Sequence, residues 1–336
     1  MSNLNKILLN KVNCKSIWFM RQAGRYLPEF REIRSKNQDF IKLCLNYELS
    51  SEITLQPIKR FDLDSAIIFS DILMVPYALG QDVRFTRNLG PKLSNFNLNN
   101  FLKNKKKDFS DKLSPIYKAI DITRRKLVKR KSLISFIGAP WTLIVYMLNI
   151  KESKGQINLK KTNVKKKLLD QVIETLIDFL CIHIKNQIDA GADVIQIFDS
   201  WAGLISKDNL NDYCYAPNAK ISNFCRKLNI PVICFPKGIK ENYEDFNKIV
   251  KPDGINLDQE INPGWAREKL KNVVIQGGLN PKILLRPDED IFKAATKYIQ
   301  TFKDIPYIFN LGHGLLPETD PDKVQKLIKF YRNFDG

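Results

Sequence analysis

Seven short, continuously apolar segments, each running into a polar or glycine-rich turn, constrain this chain more than any other feature. They are AIIFSD (66–71), LISFIGAP (133–140), DVIQIFDSWAG (193–203), IPVICFPKG (230–238), DGINLD (253–258), NVVIQGGL (272–279) and IPYIFNLGHG (305–314). Unbroken apolar runs are the pattern of strands covered on both faces, whereas one-sided strands alternate. Helical patterns lie between them. In KKKLLDQVIETLIDFLCIHIKNQIDAGA (165–192), Leu169, Val172, Ile173, Leu176, Phe179 and Leu180 share one stripe, and NAKISNFCRKLN (218–229) repeats the idea in shorter form. Strand, helix, strand in this succession is a βαβ series with parallel pairing.

An eighth candidate strand, SIWFM (16–20), brings the set to the number that closes a barrel. At 336 residues this favours a (β/α)8 TIM barrel of the α/β class over an open doubly wound sheet, and no GxGxxG follows an early strand. The expectation is one domain spanning 1–336, with an N-terminal arm and motif loop over 1–30. The stretches 84–112 and 150–164 read as surface excursions, and no internal repeat or linker is evident.

In a barrel, the groups just beyond the strand C-termini share one mouth. That rule collects Asp71, Gly138 to Trp141, Asp199, Ser200, Lys237, Asp258, Gly277 and the Asn310–Gly314 loop.

Charge points the same way with less force. The 54 basic and 36 acidic side chains leave a formal +18, which suits an anionic partner or substrate. Much of the excess sits in KNKKK (Lys103–Lys107) and RRKLVKRK (Arg124–Lys131), which read as solvated surface more readily than as a nucleic-acid site, since no CxxC finger or RNP-like strand accompanies them. The six cysteines form no close pair and two histidines give no zinc spacing, so reduced thiols in a cytosolic protein and no metal are expected. No secretory leader and no bilayer-spanning run are expected either.

Individual residues carry competing readings. Arg21 and Arg25, four apart around Gly24, are either surface ion-pair partners or two planar forks for carboxylates, with Gly24 admitting a ligand to the backbone and Trp18, Phe19 and Tyr26 lining its apolar body. Asp71 is either a cap for a short helix or a carboxylate held in an apolar pocket. His183, inside an amphipathic helix, reads as structural, whereas His313 between Gly312 and Gly314 reads as a mouth residue. Tyr146 is either core or site, and Asp199 with Ser200 either caps a helix or faces the mouth. A Ser200–His313–Asp triad lacks the GxSxG elbow.

The chain closely resembles the uroporphyrinogen decarboxylases in MRQAGRYLPEF (20–30), FSDIL (69–73), GAPWTL with YM (138–147), FDSWAG (198–203), FPKG (235–238) and NLGHGLLPET (310–319), in family order along almost the whole chain. The resemblance implies a cytoplasmic (β/α)8 homodimer of haem and tetrapyrrole biosynthesis that uses no cofactor, metal or otherwise. It implies removal of the four acetate carboxylates of uroporphyrinogen III to give coproporphyrinogen III. By motif position it places Asp71, Arg21 and Arg25 as catalytic groups and Tyr146, Ser200, His313 and the backbone N–H groups of Gln22 and Ala23 as substrate contacts. No nucleic acid or membrane is implied. Two departures stand out: Gly278 in QGGLNP (276–281), where many relatives carry asparagine, and DGINLDQEINP (253–263), which lacks an expected tryptophan. The related methyltransferases are the nearest rival, but they are expected to build zinc from a His-x-Cys pair, and CIH (181–183) runs in reverse.

Overall fold

The computed structural model describes residues 2–86, 90–151 and 166–334. Eight parallel strands form its centre: β1 (Ser16–Ile17), β2 (Ser65–Ile67), β5 (Ser132–Gly138), β6 (Val194–Asp199), β7 (Val232–Pro236), β8 (Gly254–Leu257), β9 (Val274–Gly277) and β10 (Tyr307–Phe309). Their spatial order, β1-β10-β9-β8-β7-β6-β5-β2, follows the chain around a nearly closed barrel. All eight expected strands are present, each shorter than its apolar run because the ends turn into the mouth. Between β1 and β2 a side chain takes up part of the ladder. Asp64 donates its N–H to Ile17 O at 3.0 Å, and its Oδ2 accepts from Ile17 N at 2.7 Å and from Arg332 Nη2 at 2.8 Å.

The barrel interior explains why the runs lack alternation. Ile67, Ile134, Val194, Ile233, Val274 and Ile308 point inward from six of the eight strands and pack with Trp18, while the opposite faces meet the surrounding helices. The N-terminal helix Asn3–Asn10 closes the bottom: Leu4, Ile7 and Leu8 are fully buried in the same cluster, each contributing roughly 2 kcal/mol. Lys11, in the left-handed region at φ 54°, ends that helix.

A polar layer lies inside the apolar one. Gln276 Nε2 donates to Asn256 Oδ1 at 2.7 Å, Trp18 Nε1 donates to Gln276 Oε1 at 3.0 Å, and Gln196 completes the group. All four side chains are fully buried.

The helix over 166–189 buries the expected stripe and the helix Ala216–Lys227 matches the shorter pattern. The 84–112 stretch is more ordered than expected. It holds an antiparallel hairpin, β3 (Val83–Thr86) with β4 (Gly90–Leu93), anchored by Phe85 on Phe40 with ring centroids 4.5 Å apart, then the start of the helix Lys106–Lys126. Most of the 150–164 excursion lies outside the described residues. Arg124, Arg125 and Lys126 sit in the last turn of that helix, where cations complement its dipole, and Arg124 pairs with Asp193 at 2.8 Å. That part of the second basic run is thus accounted for structurally. No helix among the described residues is long and apolar enough to cross a membrane.

Candidate active site

The loop after β1 is bent by its own backbone. Gln22 N donates to Phe19 O at 3.0 Å, Met20 N donates to Asn310 Oδ1 at 3.1 Å, and Leu315 N donates to Met20 O at 2.9 Å. These bonds stitch the early arginine loop to the loop after β10 and hold Arg21 at φ 61°, a left-handed conformation that costs a non-glycine residue roughly 1–2 kcal/mol. Strain of this kind persists only where the surroundings fix it. Gly24 is required by the same turn, since a Cβ there would lie 2.9 Å from Arg21 O. Its smallness therefore serves the loop's own closure. At Gly314 a Cβ would lie 2.3 Å from Arg21 Cδ, so the missing side chain is the space the arginine stem occupies.

Neither Arg21 nor Arg25 forms a salt bridge among the described residues, which leaves the surface ion-pair reading without a partner. Both keep an exposed portion, although the Arg21 stem is packed against Gly314. Burial of its surroundings nevertheless lowers the Arg21 pKa from its usual value, opposed by attraction to Asp71 and reinforced by repulsion from Arg25, and the Tyr146 side chain lies within the same field. Residues from the ends of three strands thus meet electrostatically.

Asp71 follows β2. One oxygen, Oδ1, accepts from Leu73 N at 2.8 Å, and its backbone oxygen accepts from Met74 N at 3.1 Å, so it does help to start the short helix Met74–Ala78. That local bond leaves the second carboxylate oxygen without a hydrogen-bond donor among the described residues. Protein atoms crowd the group closely enough that desolvation pushes its pKa up to about 6, against the lowering effects of the Leu73 bond and Arg21. A Cβ at Gly138 would meet Ile72 Cβ at 3.1 Å, so the end of β5 packs directly beside this carboxylate's turn.

Tyr146 lies on the helix Pro140–Met147, edge-on to Trp201 with centroids 6.0 Å apart, and burial raises its pKa. Ser200 follows β6 and is half-buried. Beneath it, Asp199 is buried and held on both oxygens: Thr142 Oγ1 donates to Oδ1 at 2.7 Å and Asn218 Nδ2 to Oδ2 at 3.2 Å. The same Thr142 oxygen accepts from Trp201 N at 3.2 Å, so one hydroxyl ties the Tyr146 helix to the Ser200–Trp201 turn. Phe136 and Phe198, rings 5.6 Å apart, are half-buried at the top of β5 and β6. The apolar runs do not single them out; the signal is their inward parity, two residues beyond Ile134 on β5 and Gln196 on β6.

His313 is half-buried in the loop after β10. Its Nδ1 accepts from Gly314 N at 2.7 Å, and burial followed by repulsion from Lys237 and Arg21 lowers its pKa to about 4. It is neutral at pH 7 and no hydrogen bond joins it to Ser200, which removes the geometry a serine triad needs.

Some expectations require correction. Trp18, Phe19 and Tyr26 are buried core residues, Phe19 against Phe309 and Trp18 in the barrel interior, so they do not line a ligand's apolar body. The Gln22 N–H is already bonded to Phe19 O, and its buried side chain bonds Phe19 N and Ser65 O, so Gln22 braces the loop and offers no free backbone donor. Ala23 is half-buried in the same turn. His183 is structural in its bond to Tyr117 at 3.0 Å and its burial, though it also lines a chamber of about 10 Å3 behind Asp71. No group of three histidine, cysteine or acidic side chains among the described residues is arranged to hold a metal ion. At Gly278, φ is 98° and a Cβ would meet the Tyr298 ring at 2.6 Å, so the tyrosine occupies the space that an asparagine needs.

Comparison with known proteins bears on this geometry. The family model for Uroporphyrinogen decarboxylase (URO-D) matches residues 4–334. Curated proteins of that name from Orientia tsutsugamushi strain Ikeda and Rickettsia felis are 41% and 40% identical, covering 96% and 95% of this chain and 95% and 93% of their own. The protein of that name from Cereibacter sphaeroides strain ATCC 17025 is 38% identical over 94% of each chain. Among solved structures, a methyltransferase from Methanosarcina mazei superposes with a TM-score of 0.77 at 17% identity, covering 99% of this chain and 98% of its own, which shows a shared fold.

Proposed function

The chain belongs to the uroporphyrinogen decarboxylase family, and from that premise we propose what each group in its barrel mouth does. The reaction removes the four acetate carboxylates of uroporphyrinogen III as carbon dioxide and leaves coproporphyrinogen III. Loss of carbon dioxide from an acetate on a pyrrole requires somewhere for the C–C bonding pair to go. A proton delivered to the adjacent ring α-carbon makes the pyrrole a cation able to take that pair. Cleavage then gives an exocyclic methylene. Protonation of the methylene carbon and loss of the α-carbon proton restore the aromatic ring with a methyl group.

Asp71 opposes the positive charge that appears on the ring. Its open oxygen accepts pyrrole N–H groups at the centre of the macrocycle, so the anion stabilises the protonated ring more than the neutral one. The observation that carries this reading is the meeting of Asp71, Arg21, Arg25 and Tyr146 in one field, with the carboxylate desolvated and half unsatisfied. Arg21 and Arg25 grip substrate carboxylates, for which a planar, permanently charged fork is suited. Tyr146, Ser200 and the Ala23 N–H donate to further carboxylates. His313, neutral in the free protein, gains a proton as a substrate carboxylate approaches, because an anion offsets the cations that lower its pKa. The reading extends to a single (β/α)8 domain working in the cytoplasm as a homodimer, as the family resemblance implies.

The test is anaerobic incubation of the purified protein with uroporphyrinogen III, resolving the hepta-, hexa-, penta- and tetracarboxylate products. The full series is expected. A folded protein that leaves the octacarboxylate intact refutes the reading.

A further inference from the structure

The function just proposed places a ring with eight carboxylates in this mouth, and the groups assigned so far leave the side formed by β7 and β8 without a cation. Lys237 stands there, directly after β7, half-buried. Its backbone is fixed from several directions. Lys237 N donates to Asp199 O at 3.1 Å, its own carbonyl accepts from Gly203 N at 2.9 Å, and Gly238 N donates to Asp258 Oδ2 at 2.8 Å. Gly238 takes φ 81°, and it approaches Gly203 so closely that a Cβ on Gly203 would lie 2.6 Å from Gly238 O. The corner is continuous with the His313 loop, because a Cβ on Gly312 would lie 2.4 Å from Gln259 N.

Among the described residues the Lys237 ammonium makes no hydrogen bond and no salt bridge. Asp258 is the acidic group beside it, but that carboxylate is buried and already accepts from Gly238 N, from the Tyr243 hydroxyl at 3.1 Å and, through Oδ1, from Glu260 N at 2.9 Å. The other charges near Lys237 include Arg21 and Lys151, both repulsive, with Glu260 a weaker attraction. An ammonium is strongly hydrated and is seldom left half-buried among like charges without an anion to meet it. Desolvation lowers its pKa accordingly, with Asp258 opposing that shift only in part.

We propose that Lys237 is a substrate-binding residue that holds a peripheral carboxylate of the tetrapyrrole from the β7–β8 side of the mouth, across the barrel from the arginine loop. Sheet order gives that separation, since β7 stands four strands from β1 in either direction around the ring. A carboxylate is the fitting ligand class: it supplies the missing acceptors to three ammonium donors and relieves the repulsion among Lys237, Arg21 and Lys151.

The experiment is steady-state decarboxylation of uroporphyrinogen III by the full chain, comparing wild type with Lys237→Gln and Lys237→Arg. Lys237→Gln is expected to raise KM about tenfold, equivalent to about 1.4 kcal/mol, with kcat changed less than threefold. Lys237→Arg should recover most of the loss, because it restores the charge. A role confined to the fold would produce neither the KM-specific effect nor the rescue. An unchanged KM in a folded Lys237→Gln protein, or a loss confined to kcat, overturns the assignment. If circular dichroism shows that variant to be unfolded, Lys237→Met replaces it, and failure of both to fold assigns the lysine to structure and also overturns the proposal. A folded wild type inert toward uroporphyrinogen III instead defeats the decarboxylase reading, and this inference with it.

Discussion

Replacing Asp71 by asparagine separates what the carboxylate does for catalysis from what it does to the fold, because the two effects should have opposite signs. Burial raises its pKa from 3.8 to about 6. A shift of that size corresponds to about 3 kcal/mol of penalty on the charged form in the folded state. That shift is already net of the attraction of Arg21, but part of the residue stays accessible and solvent screens it, so a gain of about 1–2 kcal/mol is the realistic expectation. The sign follows from the direction of the shift. A carboxyl whose folded pKa lies above its unfolded value destabilises the fold once both states are ionised, above about pH 6, and contributes nothing below about pH 4. Asp71→Asn should therefore resist urea better than wild type at pH 8, lose that advantage as pH falls toward 4, and still accept the Leu73 N–H through its amide oxygen. Its turnover should drop by about 10²–10³, the scale seen when a preorganised electrostatic group is removed. For the wild type, kcat/KM should fall as pH drops through about 6 while Asp71 takes up a proton. Reduced stability of the variant at pH 8 would show the carboxylate to be well satisfied by the protein, and near-normal turnover would remove it from the chemistry.

Gly314→Ala places a methyl group in the path of the Arg21 stem while leaving an ordinary backbone conformation intact, and the clash is with a flexible side chain. Stability should change by less than about 1 kcal/mol while kcat/KM falls about tenfold or more, and equal losses in both would contradict the positioning argument. Thr142→Val removes the donor to Asp199 and the acceptor for Trp201 N. It should cost about 1–3 kcal/mol in urea denaturation and raise KM through the displaced Ser200 turn, whereas Thr142→Ser should restore both. Asp199→Asn should keep the acid limb of kcat/KM near pH 6, since that carboxylate does not face substrate; disappearance of the limb would reassign it from Asp71 to Asp199.

Eight strands were legible because burial on both faces imposes one simple residue pattern, and barrel topology then converts strand ends into a shared mouth without further information. Gln196, Asn256 and Gln276 escaped notice for the same reason. Each is a single polar residue in an apolar strand, and only the closed barrel brings them within hydrogen-bonding distance. For Trp18, Phe19 and Tyr26 the cavity reading stays open in the sequence, because an aromatic residue next to a functional arginine satisfies core and pocket equally well in one dimension; the structure buries all three. The hairpin at Val83–Leu93 was obscured by its brevity and by the lysine-rich stretch that follows. Nothing in the string MRQAG announces that Arg21 sits at positive φ, a property set by Asn310 and Leu315, nearly the whole chain away.

Two carboxylates near this mouth, Asp71 and Asp199, are both driven by burial to a pKa of about 6. Proton affinity alone cannot say which one meets the substrate. The distinction lies in what remains unsatisfied. Asp199 has donors on both oxygens from Thr142 and Asn218 and is sealed beneath the Ser200 turn, so nothing outside the protein can improve its environment. Asp71 receives one backbone N–H, carries the same kind of desolvation penalty, and leaves its other oxygen open. Pyrrole N–H groups are the donors that would relieve that penalty, and they become more acidic once the ring is protonated. The relief is then larger in the charged intermediate than in the neutral substrate, which is the condition for a buried anion to accelerate a reaction as well as bind its substrate.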